Sequence, residues 1–311
     1  MLKKILNKHI IEISEIDENR VFLITARGGK CFEYNVNTKE IIYETMPIKN
    51  AAQIMHSEDE KTLFVSNTSG KIFLISKDEN EIIKNASYQY EPFNNNLFCI
   101  FDAFYYADKK GKLNRISAED ENGLNIPDFP IANITKCFDK LFIVEGKKYD
   151  RLNHLLLCGI NENNIVVKEK IMFPPNYYFD SLMLSFCKNK VIVAIYAEIN
   201  NAIEIKWILI DAKTNDVEEL GLKYTYKGFE KLFNVQNVAL KEWRFDFNRN
   251  LALFLALDSI FLVDLTTNKK ICEKKLNASC HQMHWITENR VLIATSEGLY
   301  FWDFDVDNPD E

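Results

Sequence analysis

Five histidines, seven cysteines and one strand of alternating charges are the residues of this 311-residue chain that could do chemistry. The histidines are His9, His56, His154, His281 and His284. His281 and His284 stand three apart in a strand-like run, where side chains alternate between faces, so they cannot chelate one metal as a helical pair can. His9, His56 and His284 fall on the inner strands of adjacent repeat units and could meet near a common axis. The run Lys241-Glu242-Trp243-Arg244-Phe245-Asp246-Phe247 alternates charged and aromatic residues. As a strand it places Glu242, Arg244 and Asp246 on one face and three aromatics on the other. Two carboxylates flanking an arginine can hold an ion or a polar ligand, and perturbed carboxylates can do acid–base work. The same residues can equally form a structural ion-pair network along a water-filled channel. With His284 they make the candidate polar cluster of the chain.

Other constellations fail on their spacing. Asp303, Asp305 and Asp307 imitate the start of a calcium loop, but Asn308 stands where glycine is needed and the twelfth position lies beyond Glu311. Gly28-Gly29 and Gly70 are turn glycines, and there is no phosphate loop or dinucleotide fingerprint. The cysteines (Cys31, Cys99, Cys137, Cys158, Cys187, Cys272 and Cys280) are odd in number, widely spaced and lack a C-x-x-C pair. Most lie in apolar runs, where a free thiol behaves as a small buried hydrophobe. No metal, no cofactor and no catalytic set is expected, and a reducing, cytoplasmic setting is.

A net charge of −7 and a pI near 5.5 argue against a nucleic-acid binder, which needs a basic surface. They suit a soluble, monomeric domain and, where charge matters, a basic protein partner. No run of 18 apolar residues exists, so no membrane-spanning helix is expected, and Met1–Ile11 is too interrupted for a signal peptide.

The elements that must position these residues are visible as a repeat. ENRVFLITARGGKCFEYNV from Glu18 matches ENRVLIATSEGLYFWDFDV from Glu288 without a gap, at an offset of 270 residues. A turn signal follows an apolar run at Asn35, Ser76, Ser117, Asn161, Asp211, Asp264 and Asp305, with spacings of 41, 41, 44, 50, 53 and 41. Asp, Asn and Ser suit this place because their side chains accept from backbone amides two residues on. Each unit holds four short apolar or β-branched runs between Asn/Asp/Gly clusters, the strand signal. Only Gly228–Asn237 hints at a helical period. The last unit stops after its third strand, while a spare strand, Leu2–Leu6, precedes the first. One explanation covers both: the N-terminal strand completes the last unit and closes a ring.

The unit length, the glycine before the third strand and the Trp302-Asp303 pair resemble degenerate WD-repeat or quinoprotein-like propellers. The resemblance implies an all-β, seven-bladed β-propeller of four-stranded antiparallel blades, one domain over 1–311, closed by the N-terminal strand. It also implies a protein-binding platform rather than an enzyme. The connections between units read SYQYEPF, IPDFP, FPPNYYF and KYTYKGF, whereas the opposite turns are short and polar. Tyr88, Tyr90, Phe93, Phe129, Tyr177, Tyr178, Tyr224, Tyr226 and Phe229 are therefore the candidate partner-binding residues, since tyrosine on a rigid scaffold gives large contact area at low entropy cost. The same aromatics could instead fold down as caps on the core. The expected function is a non-enzymatic interaction scaffold or dedicated binding partner. The alternative is a hydrolase or lyase with a polar site at the central channel.

Overall fold

The computed structural model describes residues 2–26, 28–57, 59–87, 97–100, 103–107, 113–116, 129–146, 151–161, 164–200, 202–225 and 241–306. They form an N-terminal strand, β1 (Leu2–Leu6), and antiparallel sheets that follow one another along the chain. The first sheet is β2 (Ile10–Glu15), β3 (Arg20–Thr25), β4 (Cys31–Asn35) and β5 (Glu40–Glu44). The second is β6 (Ala51–His56), β7 (Thr62–Asn67), β8 (Lys71–Ser76) and β9 (Glu81–Ser87). The third holds β10 (Leu97–Ile100), β11 (Ala103–Ala107) and β12 (Leu113–Ile116). The fourth is β13 (Ile131–Cys137), β14 (Lys140–Glu145), β15 (His154–Asn161) and β16 (Asn164–Met172). The fifth is β17 (Tyr178–Leu184), β18 (Lys190–Ile199), β19 (Ala202–Asp211) and β20 (Val217–Thr225). The sixth is β21 (Glu242–Asp246), β22 (Leu251–Leu255), β23 (Ser259–Asp264) and β24 (Lys269–Lys275). The last joins β25 (Cys280–Thr287), β26 (Arg290–Thr295) and β27 (Leu299–Asp303) to β1.

Six of these sheets are four-stranded blades, so the expected seven complete blades are corrected to six. The third sheet has three strands among the described residues, and the stretch where a fourth would follow, 117–128 with its turn signal at Ser117, lies outside them. The helical hint at Gly228–Asn237 also lies outside the described residues.

The inner strands succeed one another around an axis: β2 neighbours β6 and β25, β10 neighbours β6 and β13, and β13 neighbours β17. Between the fifth and sixth blades, Phe186 N–H donates to Phe245 C=O at 2.8 Å. Second strands are apolar on both faces because each face meets a different blade. In β3, Phe22 and Ile24 join Ile54 and Val65 of the second blade, while Val21 and Leu23 join Leu292 and Phe301 of the last. One such cluster fills every junction between consecutive sheets, including Phe64 against Phe104 at 4.8 Å between centroids.

Closure is as the spare strand requires. β1 pairs antiparallel with β27, Leu2 opposite Trp302 and Leu6 opposite Leu299. Trp302 is buried in the last junction, and Asp303 is bound by Arg290 at 2.5 Å. The repeated turn signal also has its expected chemistry. Asn35 Oδ1 accepts from Asn37 and Thr38 N–H, Asp211 Oδ1 from Lys213 and Thr214, and Asp264 Oδ1 from Thr266 and Thr267. The amides of Thr214 and Lys213 hold the Asp211 carboxyl below its usual range.

Candidate functional site

An inner strand of a blade is an edge strand, so half of its backbone groups face the axis unpaired. In five of these strands a β-bulge falls near the start, and the first residue after it is polar and held at one register position. These residues are Glu12 opposite Ile24, Gln53 opposite Ser66, Asn133 opposite Val144, Ser181 opposite Ala194, and Gln282 opposite Ala294. Glu242, opposite Leu255, completes a polar belt around the axis. Each is followed by an apolar residue that turns into a junction: Ile13, Ile54, Ile134, Leu182, Trp243 and Met283.

The belt members reach sideways to the next blade. Glu242 Oε2 accepts from Met283 N–H at 2.6 Å, and Gln282 Oε1 accepts from Ile13 N–H in the same way. The sixth blade is thereby linked to the seventh sheet, and that sheet to the first blade, through axis-facing amides that the edge position leaves free. The second Glu242 oxygen pairs with Arg244, whose guanidinium also donates to the Trp243 carbonyl at 3.0 Å. Glu12, at the same place in the first blade and paired through its backbone opposite Ile24, has no side-chain hydrogen bond or ion pair to another described residue.

Beside the belt lies an axial cavity of about 1320 Å³. Ser14, Asn133, Ser181, Glu242, Arg244 and His284 line it, together with the turns at Asp17–Asn19, Ser185–Lys188 and Trp285–Glu288. Its charged lining is six carboxylate residues (Glu15, Asp17, Glu18, Asp180, Glu242, Glu288) against three basic ones (Lys188, Lys241, Arg244). At the polar-turn end, Lys188 reaches Glu15 at 2.7 Å. Outside the residues that line the cavity, His9 and His281 meet Nε2 to Nε2 at 3.0 Å.

The surroundings shift these groups strongly. Burial, reinforced by the Glu242 charge and opposed by Arg244, pushes the Glu12 carboxyl up to about 8. Glu242 is also raised by burial, against Arg244 and the Met283 amide. Burial pushes His284 down to about 4, with Glu15 opposing and Arg244 and Lys188 assisting. His284 in the cavity wall and Glu12, which feels the Glu242 charge, are therefore both largely neutral at pH 7. Among the described residues no group of three or more His, Cys, Asp or Glu residues is placed to hold a metal ion.

The four expected cluster residues separate. Glu242, Arg244 and His284 line the cavity, whereas Asp246 is buried away from it. There it holds Arg249 at 2.7 Å and the Asn248 amide at 3.0 Å. Of the nine aromatics, Phe129 packs partly buried beside Ile131 and Tyr105. Tyr177 is buried, donates its hydroxyl to Glu204 and lies under Lys206. Tyr178 is half-buried, 5.9 Å from the Tyr196 ring and 5.2 Å from the Arg151 guanidinium. Tyr224 sits on β20 opposite Ile205. Tyr88, Tyr90, Phe93, Tyr226 and Phe229 lie outside the described residues. Reasoning from sequence missed Glu12, Gln53, Asn133, Ser181 and Gln282. The signal was there: the 270-residue offset places Glu12 on Gln282.

No protein-family profile matches the chain, and no curated protein does. Solved structures do. The β-propeller domain of Myceliophteria thermophila Cps50 (Swd1) superposes with a TM-score of 0.66 at 11% identity, over 98% of this chain and 100% of that one. The chain is a β-propeller. Its neighbours include further propellers of the WD40 kind. The C-terminal WD40 domain of Sif2 gives 0.56 at 13% identity, covering 97% of both chains. Hsv2 of Kluyveromyces lactis gives 0.63 at 10% identity over 93% of this propeller and 91% of that chain. At these identities the likeness is one of fold, and the quinoprotein-like side of the resemblance gains no support from these three structures.

Proposed function

We propose that this propeller is a non-enzymatic interaction scaffold that binds a protein partner on the face carrying the connections between blades, and that the three-stranded sheet is its seventh blade. The carrying observation is Tyr178. It is an amphipathic ring left half-buried at the start of an inner strand, flanked by Tyr196 and by an Arg151 side chain that is 64% exposed. Tyrosine and arginine on a rigid disc are what binding hot spots are made of. The net charge of −7 favours a basic partner over nucleic acid. The free cysteines fit a reducing, cytoplasmic setting and a monomeric propeller.

Affinity capture with chemical crosslinking tests this. Crosslinks should fall on lysines of the connection face, such as Lys49 and Lys241, rather than on Lys39, Lys77 or Lys213 of the opposite turns. Tyr178→Ala should weaken the captured partner by about tenfold, the scale of a 1–2 kcal/mol hot spot, and leave the melting temperature nearly unchanged. Tyr177→Ala should instead lower the melting temperature, because that ring is core. Crosslinks confined to the opposite turns overturn the assignment of the face.

A further inference from the structure

The ring closes through β1, and β1 hands on to the first blade through Asn7, Lys8 and His9. His9 is fixed at its backbone, whose carbonyl accepts from Ala26 N–H at 3.0 Å. Its ring reaches back to the sheet that β1 completes and meets His281. The bulge in β25 lies between Cys280 and Gln282, which leaves His281 as the extra residue, and a bulge re-aims the side chain it carries. The ring planes differ by 19° and the centroids lie 5.0 Å apart, close to the 3.0 Å between nitrogens plus one ring radius at each end. The rings therefore meet nose to nose along an Nε2–H···Nε2 hydrogen bond instead of lying face on face. We propose that His9 and His281 form an acid-sensitive latch on the closing strand, shut while a single proton lies between the two nitrogens and opened when each nitrogen carries its own.

Proton counting gives the latch its sign. With the pair neutral, one Nε2–H donates to the other Nε2. A first added proton settles on the far Nδ1 of the donor ring and strengthens the bond, because the donor is now an imidazolium. A second must land on the acceptor Nε2. It removes the one acceptor between the rings and sets two N–H groups of like charge head to head, so the contact breaks. The pair therefore titrates as a unit, and the latch is lost as pH falls. Burial, the His9 charge and Lys241 lower the proton affinity of His281 in the same sense. The linker and the elements around the pair bring the basic side chains of Lys3, Lys4, Lys8, Lys30, Lys241 and Arg244. They also bring the carboxyl and imidazole groups of Glu12, Glu15, Glu242, Glu297, His56 and His284. Arg20 and Arg290 stand at the far ends of β3 and β26, and β22 carries no charge. What the pair controls, apart from these groups, is the linker to β1. Opening it frees the Leu6 end of β1, beside the register shift between Lys4 and Leu6, and uncovers the β27 edge, on which an incoming strand would pair.

The test is hydrogen–deuterium exchange of the full chain at pH 7.5 and 5.0, read by mass spectrometry as protection against the intrinsic rate at each pH. Between the two, protection of the β1 peptide should fall about tenfold more than that of β18 in the fifth blade, the scale of one charge-assisted hydrogen bond. His281→Gln and His9→Gln each leave an amide oxygen that accepts from the remaining imidazole in either of its charge states. In each variant the extra fall at β1 should vanish while protection at pH 7.5 is kept. His56→Gln, which removes a ring bonded to the Ser57 carbonyl, should leave the extra fall intact. In the unmutated protein the ring protons of His9 and His281, followed by NMR, should titrate in two coupled steps, with β1 opening on the second. A β1 peptide that loses no more protection than β18, an extra fall that persists in either His9→Gln or His281→Gln, or two independent one-step titrations overturns the latch. None of these outcomes touches the capture of a protein partner on the connection face.

Discussion

His284 shows what enclosure does to a single residue. Its imidazole sits in the cavity wall with Arg244 and Lys188 acting on it, and the folded chain binds its proton only near pH 4, against an ordinary value of 6.5. A group depressed in this way contributes stability above its unfolded value, and that contribution is lost as pH falls from 6.5 towards 4. His284→Asn should therefore flatten the fall in melting temperature between pH 7 and pH 4.5, and an unchanged slope would show that the loss arises elsewhere. Glu12 has the opposite sign. Its contribution is present below about 4.5 and is lost as pH rises from there to about 8. Glu12→Gln should accordingly raise the melting temperature at pH 8.5 and leave it nearly unaltered at pH 5. Gly29 is constrained by backbone alone: its φ is +64°, and a Cβ there would collide with the Ile48 carbonyl. Gly29→Ala should cost about 2 kcal/mol or more, read from a denaturant midpoint, because strain and backbone collision add.

The element with most leverage is β1. It holds no large share of the core, but it covers the edge of β27 and so joins the two ends of the chain in one sheet. Gly298 lets it approach, since a Cβ there would meet the Leu6 carbonyl. Removing residues 2–8 exposes the β27 edge and takes Leu2, Ile5 and Leu6 from the junctions on either side. Unfolding should move to clearly lower temperature, and aggregation should increase, as an open strand edge invites. An unaltered transition would mean that the apolar junctions hold the ring without the strand. The strand pattern itself was legible from alternation and from the Asn/Asp turn signal, because both are local: a side chain accepts from amides two or three residues on wherever the turn is placed. Bulges were not legible. They arise from how an inner strand bends round the axis against its neighbour, and no single residue type marks them.

At the scale of the molecule the thiols report on the ring. Cys31, Cys137, Cys158, Cys272 and Cys280 are buried, and burial pushes Cys31 and Cys280 up to about 12 and Cys158 up to about 11. Cys187 alone of the six described free cysteines is exposed. Brief alkylation of the native protein followed by peptide mass spectrometry should mark Cys187 first, with the five buried thiols following only in denaturant. Early labelling of Cys280 would instead report opening of the sheet that β1 completes.

What the sequence determined on its own was everything that repeats. Period, turn chemistry and the mismatch between a truncated last unit and a spare first strand dictate an all-β ring with its closing strand at the N-terminus. What only the tertiary structure decided was which residues meet. Glu242 and Arg244 were legible as a charged alternation, but that alternation also included Asp246, which the fold turns towards Arg249 instead. Glu12 and Gln282 stand 270 residues apart, ordinary polar residues in ordinary strands, until closure sets the first blade beside the last sheet and the edge amides between them look for partners. Burial then changes their chemistry, because proton affinity in a cavity is set by the neighbours that the fold assembles and not by the residue type.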